Sequence, residues 1–345
     1  MSVLESEIRQ QPQVLTTLLD EEAENAHRIA GDLQGRQVKY VIIAARGTSD
    51  NAARYGQYLL GAYNRLPVGL ATPSLFSIYH EPPRLDGALV IGISQSGQSP
   101  DIVAVLEEAQ RQGVPTLALT NDPDSPLAKR ADYVICLHAG QERAVAATKT
   151  YTAQLAALAL LSCALGDDPK RLAALRRAPH AVGRVLEQGE LVAGGVVRYR
   201  YMDTCAVLGR GYNYATAFEI ALKLEELNYL IAESYSSADY MHGPIAVVGS
   251  GFPALVVAPS GVMFDPMREF SLELRSRGAE LIIISDRQEL LAEAVTPLPL
   301  PEGVPEWVSP IVAVVPGQLF ALYLTLAKGN DPDQPLGLQK VTITR

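Results

Sequence analysis

Two groups of side chains have the types and spacing to do chemistry. The first lies in ISQSGQSPD, residues 93–101, where Ser94, Ser96 and Ser99 surround Gly97 between an apolar run and a helical one. One serine there is an ordinary helix cap. Three hydroxyls, the Gln95 amide and a glycine suit a ligand with several oxygens. Helix N-termini point unpaired amides outward with partial positive charge, hydroxyls add donors, and glycine lets a ligand approach the backbone. Arg46, Gly47, Thr48 and Ser49 stand at the matching place one strand-helix unit earlier and would face the same crevice. The plainer alternative is that Ser99 caps the helix and the others fill a polar turn. The second group is Glu219, Lys223 and Glu226, spaced four and three apart and so on one helix face. On spacing alone the plainer reading is a solvated face with a Glu–Lys ion pair. His242, in YMHGPIA, has the residue type for proton transfer near neutral pH, although a lone histidine is commonly structural.

The elements around these residues repeat. VKYVIIAARGTSD reads as a buried strand, a glycine turn and a helix start, with Thr48, Ser49 and Asp50 as candidate caps. GALVIGISQSGQS follows the same logic, with a helix from about Asp101 to Gln112, and VPTLALTND supplies the next strand. Later, TCAVLGRGYNYA, the helix FEIALKLEELNYL, the strand FPALVVAPSG, a helix over roughly Pro266 to Arg277 and AELIIISDR restate the pattern. Arg46 and Arg210 are 164 residues apart, as are Ser96 and Ser260, while Gly113 and Gly278 are 165 apart. Strands alternating with helices predict an α/β fold with parallel sheets, here duplicated. The expected boundaries are an N-terminal helical segment over 1–35, one domain over 36–170, a charged helical connector over 171–195, a second domain over 196–327 and a tail over 328–345. A tail rich in Asp, Pro and Gly is either frayed or pinned across a functional surface.

Composition narrows the function classes. The net charge of -9 with no long basic run argues against nucleic acid. The start, MSVLESEIRQQPQVL, lacks the pattern of a signal peptide, and LAALALLSCALG is too short to span a bilayer, so a cytoplasmic protein with no membrane partner is expected. Cys136, Cys163 and Cys205 form no metal or disulfide pattern. No metal or organic cofactor is expected. No Gly-Lys-Ser/Thr follows the serine cluster, so it is not a P-loop, and Gly209–Tyr214 lacks the third glycine of a dinucleotide fingerprint. A sugar phosphate fits better than a nucleotide.

A strand, then SQSG, then a helix resembles the signature of the sugar isomerase (SIS) domain. The resemblance covers nearly the whole chain through ARGTSDNAA, ISQSGQSPD, AATKTYTAQ, LGRGYNYATAFEIALKLEELNY, AESYSSADYMHGPIA and DPDQPLGLQK, in that order. It is nearest to the isomerase half of glucosamine-6-phosphate synthases and to stand-alone double-SIS deaminases. It implies two tandem SIS domains, each a flavodoxin-like three-layer αβα sandwich around a parallel sheet.

The same resemblance implies roles. Glu226 would move the proton between C1 and C2, and Lys223 lies beside it. His242 would open the sugar ring, contributed across a homodimer interface. Lys340, otherwise an unremarked lysine near the C-terminus, would form a Schiff base with the open keto sugar. Arg46, Gly47, Thr48, Ser49, Ser94, Gln95, Ser96, Gly97 and Ser99 would bind phosphate and sugar hydroxyls, with Val145 and Ala147 lining the pocket. The residue types fit: aldose–ketose conversion needs one carboxylate able to reach both carbons, and a lysine can activate a carbonyl as an iminium.

Three departures from the synthases bear on the substrate. Ala147 stands where they have a serine, Arg46 replaces a cysteine, and Met241 replaces a basic residue. The length is also too short for a glutaminase domain beside two SIS domains. The favoured expectation is conversion of glucosamine 6-phosphate and water to fructose 6-phosphate and ammonia. The alternatives are a fructosamine-phosphate deglycase, a synthase subunit fed by external ammonia, and a non-catalytic sugar-phosphate sensor.

Overall fold

The computed structural model describes residues 1–340, and the chain divides into two compact units. The first comprises Gln13–Glu142 and Lys149–Arg176, with Gln339 and Lys340 from the tail; the second comprises Met1–Pro12, Arg143–Thr148 and Arg177–Leu338.

In the first unit, five parallel strands follow the order β2-β1-β3-β4-β5. They are β1 (Tyr40–Ala44), β2 (Val68–Leu70), β3 (Ala88–Ser94), β4 (Thr116–Thr120) and β5 (Tyr133–Cys136). All seven residues of β3 are buried, as a central parallel strand covered on both faces requires. The chain leaves β1 toward β2 on one side, and β3 lies on the other. The strand order therefore reverses between β1 and β3, where open α/β sheets hold their ligands beyond the strands' C-terminal ends. Both expected binding loops fall there: Arg46–Ser49 follows β1, and Gln95–Ser99 follows β3. The buried helix Lys149–Leu165 packs against the helix Thr48–Asn64.

The second unit repeats the plan in the order β10-β9-β8-β6-β7, again all parallel. Its strands are β6 (Thr204–Gly209), β7 (Ile231–Ser236), β8 (Pro253–Val257), β9 (Glu280–Ser285) and β10 (Thr296–Pro299). The α/β duplication read from the sequence is thus present, strand for strand. The helix Ser309–Ala327 is long and apolar enough to cross a membrane, but 83% of its most apolar window is buried. It is a core helix, covered by Tyr214–Asn228, Ala178–Leu186 and Gly189–Val196. Residues 169–196 form three short helices, and the last two of them contribute to this core. The described part of the tail is pinned: the Asp333 carboxylate accepts from the Val3 and Leu4 amides, at 2.8 Å each.

The helix Tyr214–Asn228 carries Glu219, Lys223 and Glu226, and its seat depends on one glycine. A Cβ at Gly317 would overlap the branched side chain of Ile220. Ile220 is stiff about χ1 in a helix and cannot swing aside. Gly317→Ala would gain about 1 kcal/mol of helix propensity, yet overpacking a well-filled core costs about 1–3 kcal/mol. The variant is expected to show a net loss of stability in urea unfolding. A gain would show that the two helices can part without cost.

Candidate active site

The serine loop of the first unit is folded on itself by its own hydroxyls. Ser94 Oγ accepts from the Gly97 amide at 3.1 Å, and Ser96 Oγ accepts from the Gln98 amide at 3.3 Å. Each hydroxyl proton stays available for an oxygen ligand. Gly97 sits at φ 62°, and a Cβ there would overlap the Ser125 side chain, so both backbone and space demand glycine. Ser99 occupies the N-cap position of the helix Pro100–Arg111, but its hydroxyl makes no capping bond. The plainer cap reading therefore fails for Ser99. Gln95 holds the loop to β4 by accepting from the Asn121 amide at 3.1 Å.

The neighbouring loop corrects an expectation. Thr48, Ser49 and Asp50 are not the N-cap: that residue is Gly47, at φ 52°, and the other three lie within the first turn of the helix. The left-handed turn at Gly47 brings Thr48 into the first helical position, beyond the place from which a side chain caps. Ser49 is buried, and its Oγ accepts from Gln154 Nε2 at 2.9 Å, so its own proton is free to be donated. Arg46 Nε donates to Asp101 Oδ2 at 2.7 Å, which links the two loops.

Lys340 also belongs to the first unit. Its Nζ lies 2.9 Å from Glu142 Oε2, and the buried Glu142 carboxylate also accepts from Thr150 Oγ1 at 2.7 Å. No hydrogen bond between described residues joins Lys340 to the serine loop. Val145 and Ala147 fall in the second unit, where the Glu7 carboxylate holds the amides of Arg143 and Ala144 just before them.

In the second unit, the face carrying Glu219, Lys223 and Glu226 is turned inward, which overturns its reading as a solvated ion-paired face. The side chains of Glu219 and Lys223 are 0% and 1% exposed, while that of Glu226 is 23% exposed. Lys223 Nζ lies 3.3 Å from Glu219 Oε1 and 2.6 Å from Glu226 Oε2. Burial works against the lysine's charge, but the two carboxylates outweigh it and hold its pKa above the ordinary 10.5. Lys223 is a fixed cation, unsuited to act as a nucleophile. Glu226 Oε1 has no hydrogen-bond partner among the described residues, so this carboxylate can reach a proton outside the helix. His242 is exposed, and its ring has no partner among the described residues of its own chain.

The second unit's counterpart of the serine loop is filled from within. Glu306 accepts from the amides of Val262 at 2.9 Å and Met263 at 3.1 Å, and Asp286 accepts from the Ser260 amide at 2.6 Å. Asp101, Glu142, Gln154 and Glu306 escape sequence reasoning. Only Asp101 carried a signal, its place two residues beyond Ser99.

Two duplicated parallel sheets, with serine and threonine hydroxyls at one switch point and a buried carboxylate–lysine cluster in the other unit, define a double-domain α/β protein. The chain belongs to the SIS domain family, whose model matches residues 36–164 and 202–327. A glutamine–fructose-6-phosphate aminotransferase from Thermus thermophilus is 36% identical over 97% of this chain, which spans 57% of that relative's length. Among solved structures, a Silicibacter pomeroyi protein provisionally assigned as a phosphosugar isomerase superposes with a TM-score of 0.86 at 33% identity, covering 96% of this chain and 100% of that one. The C-terminal domain of glucosamine-fructose-6-phosphate aminotransferase from Francisella tularensis gives 0.88 at 28% identity, covering 97% and 98%.

Removing Lys223 would leave Glu219 buried without its cation. Lys223→Met is expected to lose about 3–5 kcal/mol of stability in urea unfolding. Because Lys223's folded-state pKa is raised, its contribution is complete below pH 10.5 and fades as pH rises through the folded value. As pH rises from 7 to 9 the gap between variant and wild type should therefore hold, narrowing only in stronger alkali. A gap that closes over that rise would show that another group carries the effect.

Proposed function

We propose that the chain is a phosphosugar aldose–ketose isomerase that deaminates glucosamine 6-phosphate to fructose 6-phosphate and ammonia. The observation that carries this is Glu226, a half-sheltered carboxylate with one oxygen on a fixed lysine cation and the other open. Ser94, Ser96, Ser99, Thr48 and Ser49 hold the phosphate. His242 opens the ring by moving a proton between the O1 hydroxyl and the ring oxygen. Glu226 then takes the C2 proton of the open aldehyde while a proton passes from the 2-ammonium group to O1, and returns it to C1 of the resulting enolamine, leaving an iminium at C2. Lys340 adds to C2 and displaces ammonia, giving a Schiff base, and water releases the ketose and restores the amine. Low free ammonia draws the reaction in this direction by mass action. The synthases and isomerases among its relatives support the substrate class.

Glu226→Gln keeps the size of the side chain and removes its basicity. It is expected to bind fructose 6-phosphate with near-normal affinity in calorimetry while losing at least about 1,000-fold in turnover, within the usual range for an essential base. Wild-type enzyme should release fructose 6-phosphate and ammonia in equal amounts. Release of a larger amine from a fructosamine phosphate, with no action on glucosamine 6-phosphate, would point to a deglycase. Binding without any turnover would point to a sensor.

The exposed His242, unpartnered among the described residues of its own chain, supports a homodimer in which it serves the partner's reaction. Mixing inactive His242→Ala and Glu226→Gln chains under subunit exchange should restore up to about a quarter of wild-type activity, since mixed dimers then hold one intact set of groups. No recovery in demonstrably mixed dimers would place all the groups within one chain.

A further inference from the structure

Asp101 is fully buried on the first turn of the helix Pro100–Arg111, two residues beyond Ser99. A buried carboxylate is costly unless paired. Its Oδ1 accepts from the Ile102 amide at 3.0 Å, and its Oδ2 takes Arg46 Nε at 2.7 Å. The pairing is one-sided: the Arg46 side chain is 48% exposed and that of Asp101 is not exposed at all. Arginine carries five N–H donors in a planar fork. Only Nε is used here, and the two terminal nitrogens make no hydrogen bond among the described residues. The carboxylate is sealed behind the guanidinium, and Arg46 stands in the loop that follows β1, at the edge of the crevice between β1 and β3.

We propose that Arg46 and Asp101 form an anchored anion fork: Asp101 is a positioning residue that aims the free edge of Arg46 at the phosphate of the sugar phosphate. The idea rests on the phosphosugar reading and adds a specificity device to it. Hydroxyls and amides alone accept phosphate through neutral contacts. A planar guanidinium adds a charge-assisted, bidentate contact that discriminates an anion from an uncharged sugar. Asp50, also near this guanidinium, is tied to Arg54 at 3.1 Å and leaves the fork open.

Calorimetric titration with fructose 6-phosphate and with inorganic phosphate tests this without turnover, so a failed reaction and a failed fork are told apart. Arg46→Ala should weaken fructose 6-phosphate binding about 10- to 100-fold, the range for a hydrogen bond to a charged group. Arg46→Lys, which keeps charge but loses the fork, should fall between wild type and the alanine variant. Asp101→Asn should weaken binding on the order of 10-fold and, with glucosamine 6-phosphate, act on KM more than on kcat. In the Arg46→Ala background the same Asp101→Asn change should add nothing. An Asp101 effect of equal size in both backgrounds would make that residue merely structural and overturn the proposal. So would unchanged fructose 6-phosphate affinity in Arg46→Ala. Loss confined to a fructosamine phosphate bearing a carboxylate would assign the fork to that carboxylate and also overturn the phosphate assignment. If Asp101→Asn does not fold, the alanine and lysine variants of exposed Arg46 still decide the matter.

Discussion

A parallel sheet whose chain leaves β1 on one side and returns on the other opens a gap between the loops that follow β1 and β3, and the candidate ligand groups of the first unit depend on that gap. No helix crosses over it, because each crossover covers a face of the sheet and not its end. The two loops that edge it can turn sharply enough only through glycine. Gly47 and Gly97 both hold left-handed backbone. Once the turns are made, Ser94 and Ser96 spend their lone pairs on the loop's own amides and keep their protons for something else. The same groups thus shape the loop and stand ready to donate.

Duplication makes the second unit an internal control. Its strand order is the same and its corresponding loop stands at the same place, yet carboxylates from its own chain occupy the loop amides there. Glu306 reaches Val262 and Met263, and a Cβ at Gly261 would overlap that carboxylate. Carboxylate and phosphate ask the same thing of a loop ahead of a helix, namely amides with nowhere else to donate. One copy satisfies that demand from within. The other leaves it to hydroxyls and to whatever enters the crevice.

The central strands β1, β3, β4, β6, β8 and β9 were legible as mostly apolar runs, and the repeat offsets gave the duplication; the short or polar strands β2, β5, β7 and β10, such as IAESYS with its Glu233, carry no such pattern. Local pattern failed where long-range partners decide. Glu219, Lys223 and Glu226 have the same spacing on a solvated helix as on a buried one, and only the helices packed around them show that two of the three have lost water. Thr48, Ser49 and Asp50 have the residue types of caps, but the turn at Gly47 takes that role first. Glu142 and Glu306 look like ordinary surface acids in sequence, since Lys340 lies 198 residues from the one and the amides of Met263 and Val262 lie 43 and 44 from the other. The resemblance picked out Glu226, His242 and Lys340. It was silent on the carboxylates that hold such groups in place.

Lys223 shows what an energetically expensive arrangement can provide. A buried ammonium between two carboxylates stabilises less than a well-packed apolar trio of the same volume in many proteins. What it provides is a charge that does not titrate near neutral pH, a short distance from a carboxylate that can exchange protons with its surroundings. Glu219 holds the lysine charged from the inner side. Glu226 then meets a constant electrostatic neighbour whether it holds a proton or not. A base that must accept a proton at one carbon and return it at the next works best when nothing else in its vicinity changes state between the two steps. In Glu219 and Lys223 that constancy is built from buried groups, and a solvated ion pair, free to rotate away and screened by salt, would not supply it.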